Sequence, residues 1–165
     1  NVLVKTGSVV ADIGCGSGIQ SINALQQGAS RCYAIDINNN AFQCTKENCK
    51  IAGFGEKIIP VKSDLFRGFN EKVDCIIFNP PYVESDTIKY IELDGGKRGR
   101  EVLDRFLAQM PEHLNKGGVC FFLQTDINGY AATEKKLKKS KLLFKIIAKK
   151  KSFFEELAIY ECGKI

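Results

Sequence analysis

The most constraining stretch of the chain lies at residues 9–18. Val9, Val10, Ala11 and Ile13 form a short apolar run that ends in Gly14-Cys15-Gly16-Ser17-Gly18, and a helix-forming segment opens at Ile19. A run of this length and composition reads as a buried strand. Glycines two apart let the backbone turn sharply and approach a ligand without side-chain collision. A buried strand that turns directly into a helix commits the chain to an α/β plan, because parallel strands need crossover helices. The remaining sequence keeps that alternation. Helices are expected over 19–28 and 40–53, the second behind an asparagine-rich start that suits capping, with a strand between them at 31–37. Further strands are expected at 57–62, Val73–Phe78 and 118–123, with helices at 99–114 and 135–143 and closing strands at 144–148 and 156–162. The expected fold is a mostly parallel seven-stranded sheet with helices on both faces and an antiparallel C-terminal strand pair. With 165 residues and no linker or repeat, one domain is expected.

The glycine loop narrows the ligand. A dinucleotide fingerprint needs a third glycine three places after Gly16, where this chain has Ile19. No Gly-Lys-Ser/Thr ending marks a triphosphate loop. Asp12 opens the turn, an odd choice beside phosphates but suited to a cationic ligand. Asp36 ends the second strand, where a carboxylate can accept both hydroxyls of a ribose. Asp64 follows the third strand on the side expected for an adenine ring. Ile37 and Leu65 stand beside these acids as apolar cover. Each acid alone could be a helix cap or turn residue. Together, at the carboxyl ends of three successive strands, they describe a pocket for an adenosine that carries positive charge. S-adenosyl-L-methionine fits, held by Asp12, Gly14, Gly16, Gly18, Asp36, Ile37, Asp64, Leu65 and Asn79.

The most specific motif is Asn79-Pro80-Pro81-Tyr82, directly after the buried run Val73–Phe78. Two prolines end the strand and stiffen the turn. A planar –NH2 group is a poor nucleophile, because its lone pair is delocalised. Accepting its two N–H bonds on the Asn79 side-chain oxygen and the Pro80 carbonyl would align it for in-line methyl transfer. Tyr82 could lie against the flat group. The bland reading is a proline turn that ends a strand.

These motifs resemble the class I methyltransferases of the HemK type, which have a Rossmann-like fold and methylate a glutamine side-chain amide in translation termination factors. The segment Gly95-Gly96-Lys97-Arg98-Gly99-Arg100-Glu101-Val102-Leu103-Asp104-Arg105-Phe106 is similar to the archaeal and eukaryotic branch, as is Phe153-Phe154-Glu155-Glu156-Leu157. The resemblance implies N5-methylation of the glutamine in a Gly-Gly-Gln motif of a class 1 release factor, in the cytoplasm. It also implies a small zinc-binding activator subunit, and an upstream Tyr-x-Pro-x-Glu-Asp segment that this sequence lacks, so a missing N-terminal segment is expected.

Residues 83–93 are placed where a substrate-gripping lid would lie. For Arg98, Arg100 and Arg105 two roles stand open: gripping substrate, or pairing internally as Glu101 and Arg105 could at i,i+4. Gly95 and Gly96 are read as backbone-bending positions. Pro60 marks the 57–63 strand as a sheet edge. Its apolar run, with Phe54, Phe66 and Phe69 nearby, is the expected docking site for the activator. The net charge is +5, yet residues 135–151 alone hold nine lysines and no acid. The surplus is therefore a local patch, a solvated face or a docking aid for an RNA-associated substrate. Seven cysteines without a C-x-x-C pair, and one histidine, supply no zinc set and read as reduced thiols. No apolar run reaches transmembrane length. Two other functions compete: N-methylation of adenine or guanine in nucleic acid, which would need a base-flipping pocket or added reader, and a non-catalytic binding module, against which the intact Asn79–Tyr82 turn argues.

Overall fold

The structure is a computed structural model that describes residues 3–164. It forms two compact units, one ending at Phe78 and the other beginning at Asn79.

In the first unit β1 (Val9–Ile13) leads through the glycine turn to α1 (Ile19–Gln26), followed by β2 (Arg31–Asp36), α2 (Asn39–Ile51), β3 (Ile58–Lys62) and β4 (Val73–Phe78). β1 lies between β2 and β4, and β3 flanks β2, all parallel. The central strands are apolar on both faces, as a covered parallel sheet requires: Val10, Ala11, Cys32, Ala34 and Ile76 are fully buried. α2 starts where the Asn38 side chain accepts a bond from the Asn40 amide at 2.9 Å, and it buries Ala41, Thr45 and Cys49 at four-residue spacing. β3 is the terminal strand of the sheet, where a proline is tolerated. Phe66 and Phe69 do not extend an apolar edge, contrary to expectation. Both are buried, and the Phe69 ring meets Tyr33 edge-on at 5.1 Å.

The second unit opens with the Asn79–Tyr82 turn and the short strands β5 (Val83–Glu84) and β6 (Asp94–Gly96), then α3 (Glu101–His113), β7 (Leu114–Thr125), α4 (Tyr130–Lys139), β8 (Leu143–Lys151) and β9 (Glu156–Gly163). β9 runs antiparallel between β7 and β8, the expected closing pair. Its core is aromatic: Phe122 stacks on Tyr160 at 5.1 Å, and Phe106 meets Phe122 at 6.1 Å. The strand order is β3-β2-β1-β4 within the first unit and β7-β9-β8 within the second.

α4 departs from the expected 135–143. It starts at Tyr130, after Gly129 at φ 78°, and Lys141 at φ 55° ends it. The Leu142 amide turns back to the Leu137 carbonyl at 3.1 Å, a left-handed stop that the lysine run conceals.

Candidate active site

The glycine turn needs its glycines for backbone reasons. Gly14, Gly16 and Gly18 all have positive φ, at 63°, 53° and 79°. At Gly18 a Cβ would also stand 2.9 Å from Thr45 Cγ2 and 3.1 Å from Thr45 Cα. α2 braces the loop from that side. Thr45 Oγ1 donates to the Gly16 carbonyl at 3.0 Å, and Asn48 Nδ2 to the Ser17 carbonyl at 2.9 Å.

Asp12 is 2% exposed, and its Oδ2 accepts both the Ser21 amide at 2.9 Å and the Ser21 hydroxyl at 2.6 Å. That oxygen therefore ties the loop to α1, a bracing task that the sequence does not disclose. Burial pushes the Asp12 carboxyl from 3.8 up to about 7; the two Ser21 bonds oppose the shift and the Asp36 charge adds to it. Asp36 is half-buried at the end of β2. It accepts the Gly16 amide at 3.0 Å on Oδ2 and the Asn38 amide at 2.8 Å on Oδ1. Each oxygen keeps a lone pair for a further donor. Ile37 beside it is 42% exposed. Ser63 donates its amide to the Asp36 carbonyl at 3.0 Å, which holds the half-buried Asp64 just past the same end of β2. Leu65 is 6% exposed and stands at φ 54°, a left-handed conformation unusual for a leucine. The structure thus brings Asp12, the three glycines, Asp36, Ile37, Asp64 and Leu65 to one end of the parallel strands of the first unit.

Asn79, Pro80, Pro81 and Tyr82 belong to the second unit. Asn79 is exposed and Pro80 buried, with Pro81 and Tyr82 half-buried. The turn is held by residues that carry no motif in the sequence. Asn128, 3% exposed, donates from Nδ2 to the carbonyls of Tyr82 at 3.0 Å and Arg98 at 3.1 Å. Its Oδ1 accepts the Thr125 hydroxyl at 3.0 Å and the Thr125 amide at 3.4 Å. Gly99, at φ 63°, makes this approach possible, because a Cβ there would overlap the Tyr82 carbonyl oxygen. At Gly95 a Cβ would come within 2.7 Å of the Pro81 carbonyl oxygen. Gly96 stands at φ 74°, so the backbone reading of Gly95 and Gly96 is sound and gains a purpose. Asp94 shapes the preceding loop by accepting the amides of Lys89 and Tyr90, each at 2.8 Å. Those bonds, Tyr90's first, hold its carboxyl below the ordinary carboxylate range.

The three arginines separate. Arg100 is 8% exposed; it donates to the carbonyls of Asn128 and Gly129 and to Thr133 Oγ1, and pairs with Asp104 at 2.8 Å. It is an internal strut, which removes it from the substrate-gripping role left open for it. Arg98 is exposed, and its amide donates to Glu84 Oε1 at 3.2 Å. Arg105 also has an interaction partner. Among the described residues two buried polar groups, Ser85 Oγ and the Gln124 amide, have no hydrogen-bond partner. Among the described residues no group of three or more His, Cys, Asp and Glu side chains could hold a metal ion, and no helix is long and apolar enough to cross a membrane.

Comparison with known proteins decides the family. The model of the methyltransferase small domain matches residues 1–154. The chain belongs to that family. This methyltransferase is of the HemK type. A Methanocaldococcus jannaschii protein that carries the provisional name protein N5-glutamine methyltransferase MJ0928 is 38% identical over 162 residues, covering 94% of this chain and 81% of that protein. Human methyltransferase HEMK2 is 37% identical over 129 residues, which is 71% of this chain and 59% of the human one. Among solved structures, the E. cuniculi Mtq2–Trm112 complex, described as responsible for methylation of the eRF1 translation termination factor, aligns with a TM-score of 0.78 at 25% identity. The alignment covers 98% of this chain and 87% of that one. The fold is therefore that of the class I methyltransferases, and S-adenosylmethionine is the methyl donor. The first unit suits it: three positive-φ glycines leave an uncluttered backbone, and Asp36 presents a carboxylate with spare acceptor capacity beside the exposed Ile37.

Proposed function

We propose that this methyltransferase transfers a methyl group to the side-chain amide nitrogen of a glutamine in a Gly-Gly-Gln motif of a class 1 release factor, in the cytoplasm. The observation that carries the reading is the Asn79–Tyr82 turn. An exposed asparagine leads it, a buried proline follows, and its last carbonyl is pinned by Asn128. Such a turn presents acceptors and no base. That suits an amide, whose nitrogen must be oriented rather than deprotonated before it reacts. Asn79 Oδ1 and the Pro80 carbonyl accept the two N–H bonds of the substrate –NH2, fixing its plane, and Tyr82 lies against the flat group. S-adenosylmethionine, when bound, supplies the electrophilic methyl group. Asp36 holds its ribose hydroxyls, the glycine turn admits its amino-acid end, and Ile37, Asp64 and Leu65 line the adenine side. The excess proton leaves after transfer, so no residue is assigned to remove it earlier. The names of the archaeal and human relatives, and the eRF1 complex of the structural neighbour, support glutamine over a nucleobase.

A small partner protein belongs to the same proposal. β3 ends the sheet, and its strand carries a half-buried Ile59, an exposed Pro60 and a half-buried Val61. Such an edge accepts an added strand, and the neighbouring Mtq2 is found complexed with Trm112. The functional test is radiolabelled methyl transfer with a release factor and total RNA offered in parallel. Label in the release factor is expected; label in RNA alone would refute the reading.

A further inference from the structure

Phe153 and Phe154 are the most exposed large apolar side chains among the described residues, at 96% and 94%. They stand in the turn between β8 and β9, which is closed by a bond from the Ser152 amide to the Glu155 carbonyl at 2.8 Å. The two rings are 6.5 Å apart and cover none of the chain's own core. Apolar surface of this size gains when removed from water, and folding alone leaves it wet.

The tip is also tied to the support of the Asn79–Tyr82 turn. The Glu156 amide donates to Asp126 Oδ1 at 2.9 Å, the Asp126 amide to the Glu156 carbonyl at 3.0 Å, and the Tyr130 hydroxyl to that same carbonyl at 2.8 Å. Two residues after Asp126, Asn128 holds the Tyr82 carbonyl. One short loop therefore fixes both the turn and the aromatic tip.

We propose that this tip is an exosite that docks the folded protein substrate while its glutamine occupies the Asn79–Tyr82 turn; the inference rests on the glutamine reading above. The partner surface it fits is apolar at its centre and acidic at its border. The rings supply aromatic anchors of the kind that dominate interfaces. Exposed Lys150 and Lys151 lead into the tip and supply the charge that orients an acidic border on the partner, while Lys149 is paired with Glu156 Oε1. A nucleic acid fits less well, because the rings are tilted at 42° rather than parallel as a base-stacking slot would need.

The test compares intact release factor with a short synthetic peptide containing Gly-Gly-Gln, using the full chain and the double variant Phe153→Ser/Phe154→Ser. The variant is expected to raise KM for the intact factor about thirtyfold, the size of losing one interface hot spot, with kcat and all peptide kinetics unchanged. Titration calorimetry with the intact factor should show the same loss of affinity, whether or not methyl transfer follows. Unchanged KM and unchanged affinity would overturn the exosite. So would equal losses on factor and peptide, which would mark a structural role. Competition by an oligoribonucleotide that the variant abolishes would reassign the tip to nucleic acid. If the wild-type chain binds the factor through these rings but labels neither substrate, the docking stands and the glutamine reading fails.

Discussion

Replacing Asn128 with alanine separates the support of the turn from the rest of the fold. The side chain donates to two carbonyls, at 3.0 and 3.1 Å, and accepts the Thr125 hydroxyl at 3.0 Å. At about 1 kcal/mol net for each of these three bonds, the variant loses about 3 kcal/mol, a large share of the roughly 5–15 kcal/mol that holds a domain together. The catalytic consequence is larger than the stability loss implies. The Tyr82 carbonyl is released, and the acceptors at Asn79 and Pro80 lose their fixed geometry. A misplacement of about 1 Å at such a site costs about a hundredfold in rate. Asn128→Asp is the sharper variant: it keeps the shape and the Thr125 bonds but sets an acceptor against both carbonyls. The assay pairs calorimetric melting with steady-state kinetics on a release factor, and adds a cofactor titration. Both variants should melt lower and lose kcat, with cofactor affinity within about twofold of wild type, as for uncoupled positions. The glycine turn takes its support from Thr45, Asn48 and Asp36 instead. A variant that melts lower yet keeps wild-type kcat would refute the assignment of Asn128 as the support of a catalytic turn.

Two further outcomes are expected. Because burial raises the Asp12 carboxyl to about 7 in the fold, from 3.8, the folded chain holds a proton there that the unfolded chain gives up. That stabilisation is fully present below about pH 4 and is lost as pH rises through about 7, with a ceiling on the order of 4 kcal/mol. Asp12→Asn, which can still accept the Ser21 bonds, should flatten the dependence of denaturation midpoint on pH between about 4 and 7; parallel profiles for the two proteins would contradict this. Ile59→Asp on β3 should abolish co-elution with a co-expressed partner subunit and, because Ile59 is half-buried, destabilise the isolated chain by no more than the about 0.5–3 kcal/mol of an ordinary substitution. Co-elution that survives would place the partner elsewhere.

The parts of this molecule written in local rules are legible in the amino-acid sequence. The β1 turn, the acid after β2, the proline-stopped β4 and the edge position of β3 each follow from residues within a few places of one another. Asn128 is not legible in that way. Its role depends on carbonyls 46 and 30 residues away, and an asparagine directly before a glycine looks like an ordinary turn. Arg100 misleads for the same reason, because its partners Asn128, Gly129 and Thr133 lie far along the chain. The charged lysine run suggests a later start for α4, while the helix is set by Gly129 before it and the left-handed Lys141 after it. Phe66 and Phe69 look like part of a partner surface by their place beside β3, but the aromatic ring of Tyr33 gives Phe69 an internal site.

The most direct test of the central claim is tandem mass spectrometry of a release factor incubated with S-adenosylmethionine and the chain. The wild type should place one methyl group on the side-chain nitrogen of the glutamine in the Gly-Gly-Gln motif, and Asn79→Ala should leave that glutamine unmodified while still binding the cofactor. A methyl group on any other residue, or unchanged modification by Asn79→Ala, would contradict the account.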